Sequence, residues 1–190
     1  MERLGPLHDA DRKVLTDTQS SLEKIHALAS RRCDSAETGV DILRQLRMEV
    51  YEDLNQILHE HLIIRAAEWL LAHARVANDI AWFWNPRQTG DSSEPDLRGI
   101  HLGDVLISAE VTASERPIGT IDRRMQTTLA KLSRMEGMKF YFVRTEPMRK
   151  RASTKVAKQA WDISVVLLNT SLAADEPASD ALDERLASTL

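Results

Sequence analysis

The chain has 190 residues, 43% of them hydrophobic and 28% charged, which admits a globular domain with a sizeable core and excludes a low-complexity or disordered polypeptide. A formal net charge of −4 excludes a protein that coats nucleic acid through overall charge, so any phosphate contact needs a local basic patch. The single cysteine, Cys33, excludes an internal disulfide, a CxxC redox pair and a cysteine zinc framework.

The opening residues, MERLGPLHDADRK, hold no apolar segment, and no run reaches eighteen apolar residues, so a cytoplasmic protein without a membrane span is expected. Residues 10–32 read as a helix from the spacing of Val14, Leu15, Leu22, Ile25, Leu28 and Ala29. After a polar connection, residues 40–77 form a long helical stretch without proline or glycine. Its apolar stripe of Leu43, Leu46, Val50, Ile57 and Ile64, widened by Leu54, Leu58 and Leu62, needs a partner. Either the first helix supplies it as a hairpin or a second copy of the chain does, and the two are compatible.

Residues 80–84 are a first apolar and aromatic strand, closed by Asn85-Pro86, and a polar loop with Arg87 and Gln88 follows. Two short strands come next, joined by the turn His101-Leu102-Gly103. In the second, Val105, Ile107, Ala109 and Val111 alternate with Asp104, Leu106, Ser108, Glu110 and Thr112, one set to each face. A helix over 118–135 would end at Gly137 as its C-cap residue, a buried-type strand covers 139–144, a helix opens at Pro147 and runs to about 161, and 163–168 is a last strand. Residues 169–190 read as an acidic, alanine-rich tail. The expected fold is α/β: a mixed five-stranded sheet flanked by helices, with a helical N-terminal region over 1–59 and a core over 60–168. Its first three strands form an antiparallel meander and its last two are reached through helices.

Strand, turn and strand bring Asp96 and Glu110 together. Two carboxylates held side by side on a sheet repel each other unless a cation lies between them, and hard divalent ions take such pairs. Pro95-Asp96, thirteen intervening residues, then Glu110-Val111-Thr112 resembles the PD-(D/E)xK motif of the restriction-endonuclease-like nucleases. Thr112 stands where that family carries its strand lysine. The resemblance covers roughly residues 60–168 and implies a metal-dependent phosphodiesterase using Mg²⁺ or Mn²⁺, with Asp96 and Glu110 as metal ligands and catalytic residues. It also implies a further acid on the helix before the sheet, best matched by Glu68, with Glu60 and Glu49 as rivals. A cation must replace the lost lysine, and Lys131 on the following helix is the first candidate, since some relatives move the lysine there; Arg123 and Arg124 compete. Gln126 matches the helix glutamine of recombination-type members, with Ala130 where their tyrosine would stand.

For nucleic acid, Arg124 and the cluster Arg149, Lys150, Arg151, Lys155 and Lys158 are candidate phosphate contacts, against the plain alternative of a solvated helix face. Asn85, Arg87 and Gln88 could touch bases or phosphates. His59 and His61 stand two apart on a helix and point to different faces, so a zinc pair of the HExxH kind is excluded. No nucleotide-binding glycine loop and no GxSxG elbow occurs. Trp82 and Trp84 read as sheet packing. The expected function is a Mg²⁺-dependent endonuclease acting on DNA before RNA, as a homodimer joined through the long helix. The alternatives are a lapsed nuclease fold that binds nucleic acid or a protein, and a helical adaptor.

Overall fold

The computed structural model describes residues 1–74, 79–86 and 93–168; Arg87, Gln88 and the acidic tail fall outside the described residues. Two long helices open the chain, α1 (Leu7–Ala29) and α2 (Ala36–His73). Ser35 caps α2, its hydroxyl accepting from the Thr38 amide, which satisfies one of the donors a helix start leaves open. The two helices form the expected hairpin, tied by Lys13 to Glu60, Lys24 to Asp53 and Arg31 to Gln45. Most of the end of α2 is buried: Leu62, Ile63, Ile64, Ala66, Ala67 and Leu70 are fully shielded, because α1 and the sheet cover it together, and Arg65 and Leu71 mark the side left to solvent.

The sheet has six strands in sequence order: β1 (Glu2–Arg3), β2 (Ala81–Trp84), β3 (Leu97–His101), β4 (Asp104–Thr112), β5 (Met138–Val143) and β6 (Ser164–Leu167). The first four pair antiparallel and the last two join in parallel, through helices α3 (Thr120–Leu132) and α4 (Glu146–Gln159). The expected count of five missed β1. Two residues carry no alternation to read; their pairing comes from backbone bonds to β2, and the Leu4 amide bonds the Trp82 carbonyl at 2.8 Å beside a buried Leu4 side chain. The boundary expected at residues 59 and 60 falls inside α2, and Leu4 and Ala10 share one core with the sheet.

Helices cover both faces. Ile107, Ala109, Val111, Phe140 and Phe142 pack toward α2, while Tyr141 and Val143 pack with Met125, Leu129 and Leu132 of α3 and Met148 and Ala152 of α4. The strict alternation expected over Asp104–Thr112 breaks at Leu106. Gly99 pairs with Ile107 but Ile100 with Val105, so Leu106 is the extra residue of a bulge and joins Ile107 on the α2 core. From Ile107 to Thr112 the alternation holds, and that half carries the acid. Trp82 and Trp84 are buried sheet residues, as expected. Among the described residues no helix is long and apolar enough to cross a membrane.

Candidate active site

The antiparallel register pairs Leu97 with Ala109, which sets Asp96 opposite Glu110 where β3 begins and β4 nears its end. Both acids are buried, at 3% and 4% exposure. Asp96 continues the ladder in two ways. Its carbonyl accepts from the Asn85 amide at 2.9 Å, and its carboxylate Oδ2 accepts from the Val111 amide at 2.7 Å. A side chain thus takes the ladder bond, fixing the carboxylate against the β4 backbone.

Glu110 extends toward α3, where Lys131 lies 2.5 Å from its Oε1. The same ammonium donates to the Glu94 carbonyl at 3.0 Å, so Lys131 links the β4 acid to the chain just before Asp96. Burial, and next the charge of Asp96, push the Glu110 carboxyl up to about 8, against the pull of Lys131 and His59. The sequence expectation that Lys131 stands in for the strand lysine thus meets a short contact to one of the two acids.

The third participant is a residue that spacing alone set aside. His59 on α2 brings Nε2 within 3.4 Å of Asp96 Oδ2 and 3.3 Å of the Val111 carbonyl. Burial would lower its pKa, but the Asp96 carboxylate, the Val111 carbonyl and Glu110 together raise it above the ordinary histidine value. A signal was present in the sequence: His59, Glu60 and His61 interrupt the otherwise apolar run Ile57 to Ile64.

None of the helix acids takes this place. Glu68 pairs with Arg65 on its own helix at 2.5 Å, and its nine-residue offset from His59, about two and a half turns, turns it to the opposite side of α2. Glu60, 1% exposed, accepts from Lys13 and Gln56, and Glu49 accepts from Gln45. Glu68 as a metal ligand is therefore replaced by His59 as the α2 residue beside the pair. Thr112, in the lysine position, takes the Ser114 amide at 3.3 Å and is hydrogen-bonded to the buried Tyr141 phenol, which burial and Glu110 push up.

His59 thus ties the Asp96 carboxylate to the Val111 carbonyl through contacts of 3.4 and 3.3 Å, as Lys131 holds Glu110 from the other side. Among the described residues no three His, Cys, Asp or Glu side chains form a group that could hold a metal ion by themselves.

A cleft of about 580 Å³ reaches Lys131 from solvent, lined by Gln126, Thr127, Ala130, Arg134 and Met135 of α3 and its end, with Ser93 opposite. The expected phosphate contacts divide. Arg149 grips Glu146, and Arg151 and Lys155 both hold Asp122, whose carboxyl the Arg151 bond, next to Lys155, draws down to about 2. These three cations are committed to ion pairs on α3 and α4, whereas Arg124 and Lys150 are exposed and carry no ion pair among the described residues. No family model, curated protein or solved structure matches the chain.

Proposed function

We propose that this chain is a metal-dependent endonuclease of the PD-(D/E)xK type that hydrolyses phosphodiester bonds, DNA before RNA, and works as a pair of copies. The observation that carries the reading is the buried Asp96–Glu110 pair with Lys131 2.5 Å from one acid and His59 3.4 Å from the other. Buried like charges are costly, and a constellation of two acids and two bases between the start of β3 and the end of β4 has no packing purpose that leucine would not serve better. Asp96 and Glu110 would hold Mg²⁺ or Mn²⁺ with water and phosphate oxygens completing the shell, and His59 would fix the Asp96 carboxylate; the ion when bound polarises the phosphate and acidifies a water. Lys131 offsets the charge that builds on the phosphate oxygens. Arg134 and Gln126 in the cleft, with Arg124 and Lys150 on the outer face, accept the neighbouring phosphates.

The test is calorimetric titration of Mn²⁺ into the wild type, Asp96→Ala and Glu110→Ala, followed by nicking of supercoiled DNA. Binding at millimolar or tighter that both variants lose, with nicking that fails in Lys131→Met, is the expected outcome. Metal binding without nicking in the wild type favours the second reading, a lapsed nuclease fold that binds nucleic acid. One feature supports that alternative: Thr112 brings no charge to the motif strand, and Lys131 is already engaged with Glu110 and the Glu94 carbonyl.

A further inference from the structure

The hairpin of α1 and α2 has two unlike sides. On one side run the ties between the helices, Lys13–Glu60, Lys24–Asp53 and Arg31–Gln45. Because these pairs share one side, residues on the far flank of each helix share the other. At about 100° per residue that far flank carries Leu15 and Leu22 of α1, and Val40, Leu43, Tyr51 and Leu54 of α2. All six are at least half exposed, and Met48 beside them is 72% exposed. The stripe expected to seek a partner is thus spent in part: Val50 is buried in the hairpin and Ile64 in the core, while Leu43 and Leu54 stay exposed. With Val40 and Tyr51 they form the open flank of α2.

We infer that a second copy of this chain packs antiparallel on this open flank, helix α2 against helix α2, to make a bundle of two hairpins. Two observations select a second copy. Seven large apolar side chains, each baring on the order of 100 Å², give roughly 700 Å² per copy, above the patch a monomer usually carries and close to the ~800 Å² each partner gives to a standard interface. The stripe also reads onto itself. Val40, Arg47 and Leu54 recur at seven residues, and so do Arg44, Tyr51 and Leu58. With the two-fold axis level with Glu49, Arg47 meets the partner's Tyr51 and Arg44 meets the partner's Leu54, each twice. The one charge central to the stripe, Arg47, then has an aromatic face to lie on, and the Arg44 stem covers a leucine. This inference stands on the hairpin surface and does not depend on the phosphodiester reading; it narrows the stripe first expected to join two copies to its exposed members Leu43 and Leu54 and their neighbours.

The experiment is mass measurement by light scattering at 5–100 µM, on the order of working concentrations for such contacts, for the wild type and for Leu43→Glu with Leu54→Glu. The wild type is expected at twice the chain mass. The double variant is expected as a monomer with unchanged helical circular dichroism, its dissociation constant raised at least ~100-fold because each added charge counts twice. Register is tested by Arg47→Cys with Tyr51→Cys in a Cys33→Ser background, which should crosslink the two copies on mild oxidation. A monomeric wild type would mean that a different partner covers this flank, and a dimer indifferent to both glutamates would place the contact elsewhere; either result overturns the inference, and neither bears on metal binding at Asp96.

Discussion

Glu110 is held as an acid against its own tendency to ionise, and this sets a direction for stability. Its carboxyl rises from the ordinary 4.5 to about 8 on folding, so the folded chain binds a proton that the unfolded chain has released across that interval. The stabilising effect is complete below about pH 4.5 and is lost as pH climbs through about 8. His59, also raised, acts in the same direction above its ordinary value. Urea unfolding is expected to give a free energy that falls by about 1–3 kcal/mol between pH 5 and pH 8, and Glu110→Gln should remove most of the fall. An equal slope in that variant would show that the carboxyl titrates normally. The nearness of Asp96 and Glu110 was legible from the chain because a strand–turn–strand with acids at its two ends is a local pattern; Lys131 entered only through the family resemblance, beside Arg123 and Arg124. His59 was not, because its distance from Asp96 depends on how a helix thirty-seven residues upstream lies on the sheet.

At the scale of elements, the helices and five of the six strands followed from apolar spacing and breaker residues, and the departures have local causes. β1 is too short to show a pattern, and the bulge at Leu106 belongs to a pairing between strands. Gly137 is a third case. Helix α3 ends at Leu132 with Ser133 as its cap, so Gly137 lies beyond the cap position expected for it. Its φ of +73° lies in the left-handed region, and a Cβ there would stand 2.5 Å from the Leu106 carbonyl carbon and oxygen. The chain enters β5 by pressing its backbone onto β4, and the Ser108 hydroxyl, donating to the Glu136 carbonyl at 2.9 Å, holds that crossing. Gly137→Ala should therefore cost about 2 kcal/mol or more, from the backbone conformation and the overlap together. Gly103, with φ of +96° in the hairpin turn and open space around it, provides the control: Gly103→Ala bears the conformational cost alone and should lose less. Equal losses by thermal unfolding would mean that the β4 backbone moves aside at no cost.

For the whole molecule, the site is a junction. His59 comes from α2, Asp96 from the start of β3, Glu110 and the Val111 carbonyl from β4, and Lys131 from α3, so both helix layers and the sheet meet at one cluster of charge. A ligand that binds there binds only the folded arrangement, since the five contributors are scattered from residue 59 to residue 131 in the unfolded chain. Under linkage, Mn²⁺ at a hundred times its dissociation constant would add about 2.7 kcal/mol to the unfolding free energy, and the effect would grow as pH rises because the ion competes with a proton on Glu110. For a domain of this size that is a rise in melting temperature of roughly 5–11 °C. The expected result is such a rise in the wild type at pH 8, a smaller one at pH 6, and none in Asp96→Ala. Glu68→Ala should keep the full rise, because its carboxylate serves Arg65 on the far side of α2. A shift that survives Asp96→Ala would mean that the ion binds elsewhere. One that vanishes in Glu68→Ala would return that acid to the ligand role that the motif alone suggested.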